Sequence, residues 1–312
     1  MNCILQKFYS SRSGSALIAV YSTIAILSIA VFTTLQFLLF EVSHTNSRSA
    51  IFRAEQLAHN VAAIAMNPKV EPHDPLLTGG NAAGSYSAVI LSEGSKLAIN
   101  QFATVPRRKV LENLFENWGM DGNEAKDLVD QLIDWVDADS RATGNGRERP
   151  FYLARGKPDL PFNRPFVDLD ELTLVESYPK LARIKPDWRS FFTLRSSGKL
   201  DLSSAPAELI AAVIGCSPTT AEHFVETRSG SDGVALTEDD LSFESVDEAL
   251  DLLMTYGPDR EAILPLCSID DPVKRIVAVG TVGDIAVEQV WIVENHSSTP
   301  AVLDFSMRQL RL

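Results

Sequence analysis

The pattern of hydrophobic and polar positions divides this chain near residue 40. Residues Ser15 to Phe40 include no Asp, Glu, Lys, Arg or His, and as a helix they would measure roughly 39 Å at about 1.5 Å per residue. A helix of this length and composition can span a bilayer. From Ser43 to Met66 the apolar positions keep helical spacing among charged residues. We therefore expect one helix to extend from the membrane into the soluble body.

In the rest of the chain, the spacing of apolar residues changes twice. Apolar residues in Tyr86 to Leu91 and Leu97 to Phe102, around Glu93-Gly94-Ser95, predict two short strands. Helical spacing follows, at Val110 to Trp118, Leu128 to Val136, Ser204 to Ile214, Thr219 to Thr227 and Ser245 to Tyr256. Strand patterns return at Arg275 to Val282, Ile285 to Val293 and Val302 to Leu312, with turns at Gly283-Asp284 and His296-Ser297-Ser298-Thr299-Pro300. This order predicts an α+β fold whose long helix packs on an antiparallel sheet interrupted by a helical insertion.

Small polar residues interrupt the apolar segment, and they have two interpretations. They are Ser22, Thr23, Ser28, Thr33, Thr34 and Gln36. Such side chains suit packing between membrane helices, and Ser and Thr also bond to the carbonyls of their own helix. Lys7 and Arg12 precede the segment and Glu41 follows it, so we expect a cytoplasmic N-terminus and an exported body.

Charge and cysteine content limit the classes of partner. The formal net charge is −13, which makes the chain a poor nucleic-acid binder. Cys216 and Cys267 would lie in an oxidising compartment where a disulfide can form, but we expect two buried free thiols. The five histidines are far apart and match no catalytic spacing. No enzyme activity is expected.

Two acidic clusters are candidate metal sites. Asp134, Asp137 and Asp139 lie near a predicted helix end, before the polar loop Ser140 to Arg149. Clustered carboxylates of this kind suit calcium, although acidic residues at a helix end are also simply solvated or cap the helix. The second cluster, Glu238-Asp239-Asp240 with Glu244, is interpreted as a solvated face.

The segment Ala205 to Arg228 resembles a helix-hairpin-helix around Ile214-Gly215-Cys216-Ser217-Pro218, an element that grips DNA phosphates in other proteins. Ser217 occupies the place where a second glycine usually allows close phosphate approach. Arg228 is the only basic side chain between Asp201 and Arg260, and the many acidic residues there would repel phosphate. We expect a structural helix pair, with DNA binding as the alternative.

The N-terminus resembles a class III prepilin signal, the kind shared by type IV pilins and type II secretion pseudopilins. Its leader ends at Gly14, so a prepilin peptidase would cleave before Ser15 and leave the apolar helix intact. Most of these proteins have Glu at the fifth mature position, where this chain has Ala19. That absence is expected of one minor pseudopilin, the general secretion pathway protein K family.

Four elements in the body extend the resemblance to that family. They are Asp134-Trp135-Val136-Asp137-Ala138-Asp139, Pro150-Phe151-Tyr152-Leu153, Asp168-Leu169-Asp170-Glu171-Leu172 and Leu202-Ser203-Ser204-Ala205-Pro206-Ala207-Glu208. The family's Gly-Ala-Glu is replaced by Gly146-Arg147-Glu148-Arg149, which leaves this stretch out of the predicted ligand set. The resemblance implies calcium in the head, with Asp134, Asp137 and Asp139 as its predicted ligands.

The resemblance also implies a domain plan and a function. The plan is a leader (1–14), a transmembrane and stalk helix (15–66), the first part of a pilin-like sheet (67–105), an inserted helical domain (106–270) and C-terminal strands (271–312). The function would be to cap the tip of a periplasmic pseudopilus and help initiate its assembly, as a single-pass protein of the bacterial inner membrane. Expected partners are other minor pseudopilins, the inner-membrane secretion platform, prepilin peptidase and exported substrate. Ala19, Ser22, Thr23, Ser28 and Thr33 would lie on the assembly helix. The alternatives are a minor type IV pilin and a membrane-anchored periplasmic DNA-binding protein.

Overall fold

The computed structural model describes residues 13–294 and 300–311. The helices are α1 Ser13–Ala65, α2 Ile99–Phe102, α3 Arg108–Asn117, α4 Gly122–Val136, α5 Arg149–Leu153, α6 Tyr178–Ile184, α7 Ala207–Ile214, α8 Pro218–Arg228, α9 Val246–Leu252 and α10 Gly257–Ile263. The strands are β1 Thr78–Asn81, β2 Gly84–Ser92, β3 Leu97–Ala98, β4 Phe192–Thr193, β5 Leu200–Asp201, β6 Cys267–Ser268, β7 Val273–Val282, β8 Ile285–Glu294 and β9 Ala301–Arg311. The chain divides into two compact units, Met1–Arg53 and Ala54–Leu312. Most of the predicted leader, residues 1–12, and most of the predicted turn, His296-Ser297-Ser298-Thr299, lie outside the described residues.

The first unit contains the apolar part of α1. Within the described residues, Ala16–Glu41 is the one segment long and apolar enough to cross a membrane. Its hydroxyls bond within the helix, because Ser22 donates to Ile18 O at 2.8 Å and Thr23 donates to Val20 O at 2.8 Å. Thr33 donates to Ile29 O and Ala30 O, each at 3.0 Å. These hydroxyls therefore satisfy their hydrogen bonds inside α1, and the packing role predicted for Ala19 and Ser28 stays a prediction. Gly14 and Ser15 lie at the start of α1.

The second unit contains a five-stranded antiparallel sheet with the order β1-β2-β7-β8-β9. The predicted strands at residues 86–91, 275–282, 285–293 and 302–312 correspond to β2, β7, β8 and β9, which confirms the sheet and the α+β class. β1 was not predicted, because its sequence Thr-Gly-Gly-Asn has no strand preference. A Cβ at Gly79 would lie 2.5 Å from the Tyr86 hydroxyl, so the tyrosine ring covers the glycine across the β1–β2 pair.

The C-terminal end of α1 packs on one face of this sheet through small side chains. Ala58, Val61, Ala62 and Ala65 are almost completely buried there. They share a core with sheet residues that include Ala88, Ile90, Ile276, Ala278 and Val293. The helix backbone approaches closest at Gly280, where an added Cβ would lie 2.0 Å from Ala54 O. Alanine on the helix and glycine on the strand therefore determine this close contact.

A mainly helical region lies between β2 and β7 in sequence and has a core of its own. α3, α4 and α7 supply many of its buried aliphatic side chains, and Trp135, Trp188 and Phe192 supply large aromatic ones. Two short parallel pairs, β3–β4 and β5–β6, tie distant parts of the region together. The predicted strand at Leu97 to Phe102 is wrong beyond Ala98. Ile99 and Phe102 begin and end the helical turn α2, and both side chains are fully buried, so the strand pattern was a buried helical pattern.

A buried ion pair connects the sheet to the helical region. Glu93 follows β2 and is 1% exposed. Arg275 on β7 donates to it through Nε and Nη2 at 2.8 and 2.9 Å. The Thr193 hydroxyl, on β4, donates to the same carboxylate. One carboxylate thus joins three elements that are far apart in sequence. The thiols of Cys216 and Cys267 are both free, but only Cys267 is buried as expected, and Cys216 is half-buried.

Candidate functional site

The acidic face of α4 holds the loop that follows it. Asp127, Asp130 and Asp134 are spaced by three and four residues, so they lie along one side of the helix. Asn145 donates to Asp130 Oδ2 through its backbone N–H at 2.9 Å and to Asp127 Oδ1 through its side chain at 2.7 Å. The Thr143 N–H donates to Asp134 Oδ1 at 2.8 Å. The loop backbone is therefore fixed by carboxylates.

Two glycines make this close approach sterically allowed. A Cβ at Gly144 would lie 2.3 Å from Asp130 Oδ2, and a Cβ at Gly146 would lie 1.9 Å from Asp134 Oδ2. Gly144 also has a φ of +54°, which disfavours residues with a side chain. The loop therefore passes directly over α4 and returns to the helix end at Glu148.

Three carboxylates meet where the loop returns to the helix end. One oxygen each from Asp137, Asp139 and Glu148 lies within 4.8 Å of the other two. Glu148 is 5% exposed, and its Oε1 has no hydrogen-bond partner. Asp137 Oδ1 and Asn163 Oδ1 are buried and unpartnered as well. Buried oxygens without donors fit a hard cation such as calcium, which binds carboxylate and amide oxygens.

The electrostatics of this cluster favour a positive charge. Burial, followed by the charge of Asp139, raises the pKa of Asp137. Burial is also the main cause that raises the pKa of Glu148, to which Asp137 and Asp139 contribute. Among the described residues Arg147 forms no ion pair with these carboxylates, and its guanidinium instead donates to the Asn145 and Gly146 carbonyls and lies 4.8 Å from the Phe151 ring centre. A bound cation would neutralise the cluster.

The structure places the three predicted ligand residues in two positions, and their role as ligands stays a prediction. Asp137 and Asp139 lie together, whereas the completely buried Asp134 accepts from Thr143 with Oδ1 and has no partner at Oδ2. Burial raises the pKa of Asp134 to about 6, and its backbone hydrogen bond from Thr143 opposes that rise. Glu148 was not among the predicted calcium ligands, because Arg147 stands where the family has Ala and this stretch was therefore excluded. The retained Gly-x-Glu spacing was the signal that could have found it.

The helix-hairpin-helix-like segment is part of the core. α7 is buried from Leu209 onward, and α8 packs against it. Arg228 is 6% exposed and donates to Leu202 O at 2.6 Å and to Ala205 O at 3.0 Å. The basic side chain that the DNA-binding alternative requires is therefore occupied by backbone carbonyls.

The second acidic cluster organises a loop. Asp239 Oδ2 accepts hydrogen bonds from the Ser231 N–H and hydroxyl, both at 2.7 Å, and from the Asp232 N–H at 3.2 Å. The Leu236 N–H donates to Asp240 Oδ2 at 2.6 Å. The bonds from Ser231 are the main cause of the lowered pKa of Asp239. These carboxylates are more than a solvated face, because they hold the turns between α8 and α9.

Comparisons with known proteins agree on one family. The family model described as type II secretion system (T2SS), protein K matches residues 95–186. Type II secretion system protein K of Pseudomonas aeruginosa is 30% identical over 133 residues, which are 42% of this chain. The match spans 39% of that relative's length. One chain of the crystal structure of the GspK-GspI-GspJ complex from the enterotoxigenic Escherichia coli type 2 secretion system has a TM-score of 0.61 and 17% identity. That alignment covers 88% of this chain and 99% of the other.

Proposed function

Because this chain is similar to type II secretion system protein K over residues 95–186 and in its fold, we propose that it is a member of that family, a minor pseudopilin that caps the periplasmic pseudopilus and helps initiate its assembly. One observation carries the proposal. The helical region is inserted between the adjacent strands β2 and β7 of a sheet that packs on α1. A regular filament repeats one subunit along its length, and a bulky head of this kind fits its end better than its interior. The protein acts as a structural secretion component.

The proposal includes a topology and a set of partners. Ala16–Glu41 would cross the inner membrane, with the residues before it in the cytoplasm and the body in the periplasm. Prepilin peptidase would cleave between Gly14 and Ser15. The solved relative comes from a complex with GspI and GspJ, so we propose that other minor pseudopilins bind this chain. The inner-membrane secretion platform and exported substrate are the other proposed partners.

The two alternatives differ from this proposal in measurable ways. A minor type IV pilin would share the processing but belong to another machine, so it would co-purify with pilus subunits instead of pseudopilins. A DNA receptor would retard DNA in a salt-dependent manner. The burial of Arg228 and the net charge of −13 argue against that second alternative.

We expect Gly14→Val to block leader removal. In membranes with co-expressed prepilin peptidase, intact mass should show the wild-type chain starting at Ser15 and the variant still starting at Met1. Ser13→Ala is the matched control and should be processed, because it leaves the residue before the cleavage site unchanged. A wild-type chain that keeps Met1 beside active peptidase would contradict the pseudopilin pathway.

We also propose that Asp137, Asp139 and Glu148 hold a calcium ion, with the Asn163 amide oxygen nearby. The ion would neutralise the three carboxylates and fasten the loop after α4 to the helix end. Its role would be structural, because it would join two segments of one head. The buried, unpartnered oxygens of the cluster support this proposal.

Calcium should therefore stabilise the full chain. At a free concentration about 100 times the Kd, linkage gives roughly 2.7 kcal/mol, which a thermal melt with and without chelator would register as a higher Tm. Asp139→Asn combined with Glu148→Gln should remove most of the shift, because two of the three carboxylates are lost. Asp284→Asn, an exposed acid in the β7–β8 turn, should keep it. Equal shifts in all three proteins would show that calcium acts elsewhere.

A further inference from the structure

A cleft of about 330 Å³ lies between the sheet and the helical region. We call it the cationic cleft and define it by Lys96, Phe192, Arg195, Arg275 and Ile292, which all line it. Arg275 and Ile292 are paired across β7 and β8, so they lie on the same face of the sheet. That face is opposite to the one that contacts α1, where Ile276 and Trp291 lie. The cleft is therefore separate from the helix-packing surface and from the acidic cluster.

The inner part of the cationic cleft has one uncompensated positive charge. Arg275 and Glu93 neutralise each other through two hydrogen bonds. The ammonium group of Lys96 is in no ion pair with the described residues, although the side chain is half-buried. Burial is the main cause that lowers the pKa of Lys96, and the charge of Arg275 adds to it. An anion placed beside Lys96 would relieve both effects.

The remaining groups restrict the kind of anion. The Arg195 side chain is exposed at the cleft and adds a second cation. Asp168 and Asp304 also line the cleft, and their carboxylates accept the Asp170 and Phe305 N–H groups, each at 2.8 Å. These two acids would repel an anion with several charges, such as a phosphate, more strongly than a monoanion. Val167 also lines the cleft and is 64% exposed, so it provides apolar contact surface there, whereas Phe192 and Ile292 are 1% and 8% exposed and contribute little.

We propose that the cationic cleft binds a carboxylate that lies next to an apolar side chain on another polypeptide. The carboxylate would pair with Lys96 and Arg195, and the apolar side chain would contact Val167. The source is either a chain terminus or an acidic side chain, since both present the same group. This binding site goes beyond the assembly role, because it gives the head a ligand of defined chemistry.

Calorimetry on the full chain in nanodiscs tests the site with three soluble peptides. Acetyl-Gly-Gly-Leu has a terminal carboxylate, acetyl-Gly-Glu-Leu-amide has a side-chain carboxylate, and acetyl-Gly-Gly-Leu-amide has none. We expect at least one carboxylate peptide to bind about tenfold more tightly than the uncharged amide. The tighter of the two identifies the source. Equal binding of all three, or no binding of either carboxylate peptide, would overturn the proposal.

Substitutions at Lys96 separate charge from packing. Lys96→Met keeps the length of the side chain and removes its charge, so it should weaken carboxylate binding about tenfold, while Lys96→Arg should stay within about threefold. Lys199→Met, at an exposed lysine outside the cleft, should bind as the wild type does. Near-UV circular dichroism establishes that each variant is folded. Wild-type affinity in Lys96→Met would overturn the proposal. Because peptide binding to the cleft does not require leader removal, a failure here is distinct from a failure of Gly14 processing.

Discussion

The variant Gly280→Ala should lose about 3 kcal/mol of stability, at the upper end of the usual cost of overpacking. The added Cβ would lie 2.0 Å from Ala54 O and 2.7 Å from Ala58 N. Both atoms belong to the helix backbone, so a side-chain rotation cannot relieve the clash. The end of α1 would have to move away from β7, which would open the core formed by Ala58, Ala62 and Ala278.

Urea unfolding of the full chain in detergent, followed by tryptophan fluorescence, measures this loss. Trp291 reports on the contact, because its ring centre lies 5.6 Å from that of His59 on α1. Gly122→Ala is the matched control. Its Cβ would meet only the Glu116 carboxylate oxygen at 3.3 Å, and alanine favours the helix there. If both variants unfold at the wild-type urea concentration, α1 does not pack on the sheet as described.

The variant Arg275→Met should cost roughly 3–5 kcal/mol, the range for breaking a buried ion pair by removing one partner. Glu93 would remain 1% exposed with only the Thr193 hydroxyl to donate to its carboxylate. The same urea titration measures this loss. The matched control is Arg308→Met, which breaks an ion pair with Glu288 at 2.9 Å. The Arg308 side chain is 68% exposed, so its loss should cost less than about 1 kcal/mol.

A double variant distinguishes loss of the pair from loss of packing. Combining Arg275→Met with Glu93→Leu replaces both charges by apolar groups, so it should recover part of the stability that Arg275→Met loses. If the costs of the two single changes simply add in the double variant, Arg275 and Glu93 do not interact in the folded protein. Equal costs of Arg275→Met and Arg308→Met would show that burial does not strengthen the pair.

Long elements with a clear pattern of apolar residues could be predicted from the sequence. The apolar stripe of α4 spans 15 residues, and β8 is a ten-residue segment rich in β-branched side chains, so their type was correct. Segments of four to six residues were less informative. Leu97 to Phe102 is apolar at most positions, and six residues are too few to separate a helical from a strand period. β1 has no apolar pattern, and its Gly79 lies beneath Tyr86.

The candidate sites depended on contacts that local patterns do not contain. Glu93 and Arg275 are 182 residues apart, and nothing near either residue predicts its partner. Asp134, Asp137 and Asp139 look equivalent in the sequence, yet the loop that returns over α4 binds Asp134 and brings Glu148 to the other two. Arg228 was the one basic side chain available to the DNA-binding alternative, and its bonds to Leu202 O and Ala205 O are contacts that its sequence neighbours do not predict. In each case, contacts with residues outside the local sequence pattern, and not residue type, determine what the side chain binds.

The position of the helical region between β2 and β7 has a mechanical consequence. Ser92 at the end of β2 is paired with Lys274 at the start of β7, so the head is attached to two neighbouring strands at the same end of the sheet. A thrust on the head along the strands would move β2 and β7 together and leave the hydrogen bonds between them unloaded. The force would pass to β8 across the pairs from Val273–Glu294 to Val282–Ile285. The hydrogen bonds between β7 and β8 would be loaded together in shear, so they would not break one after another.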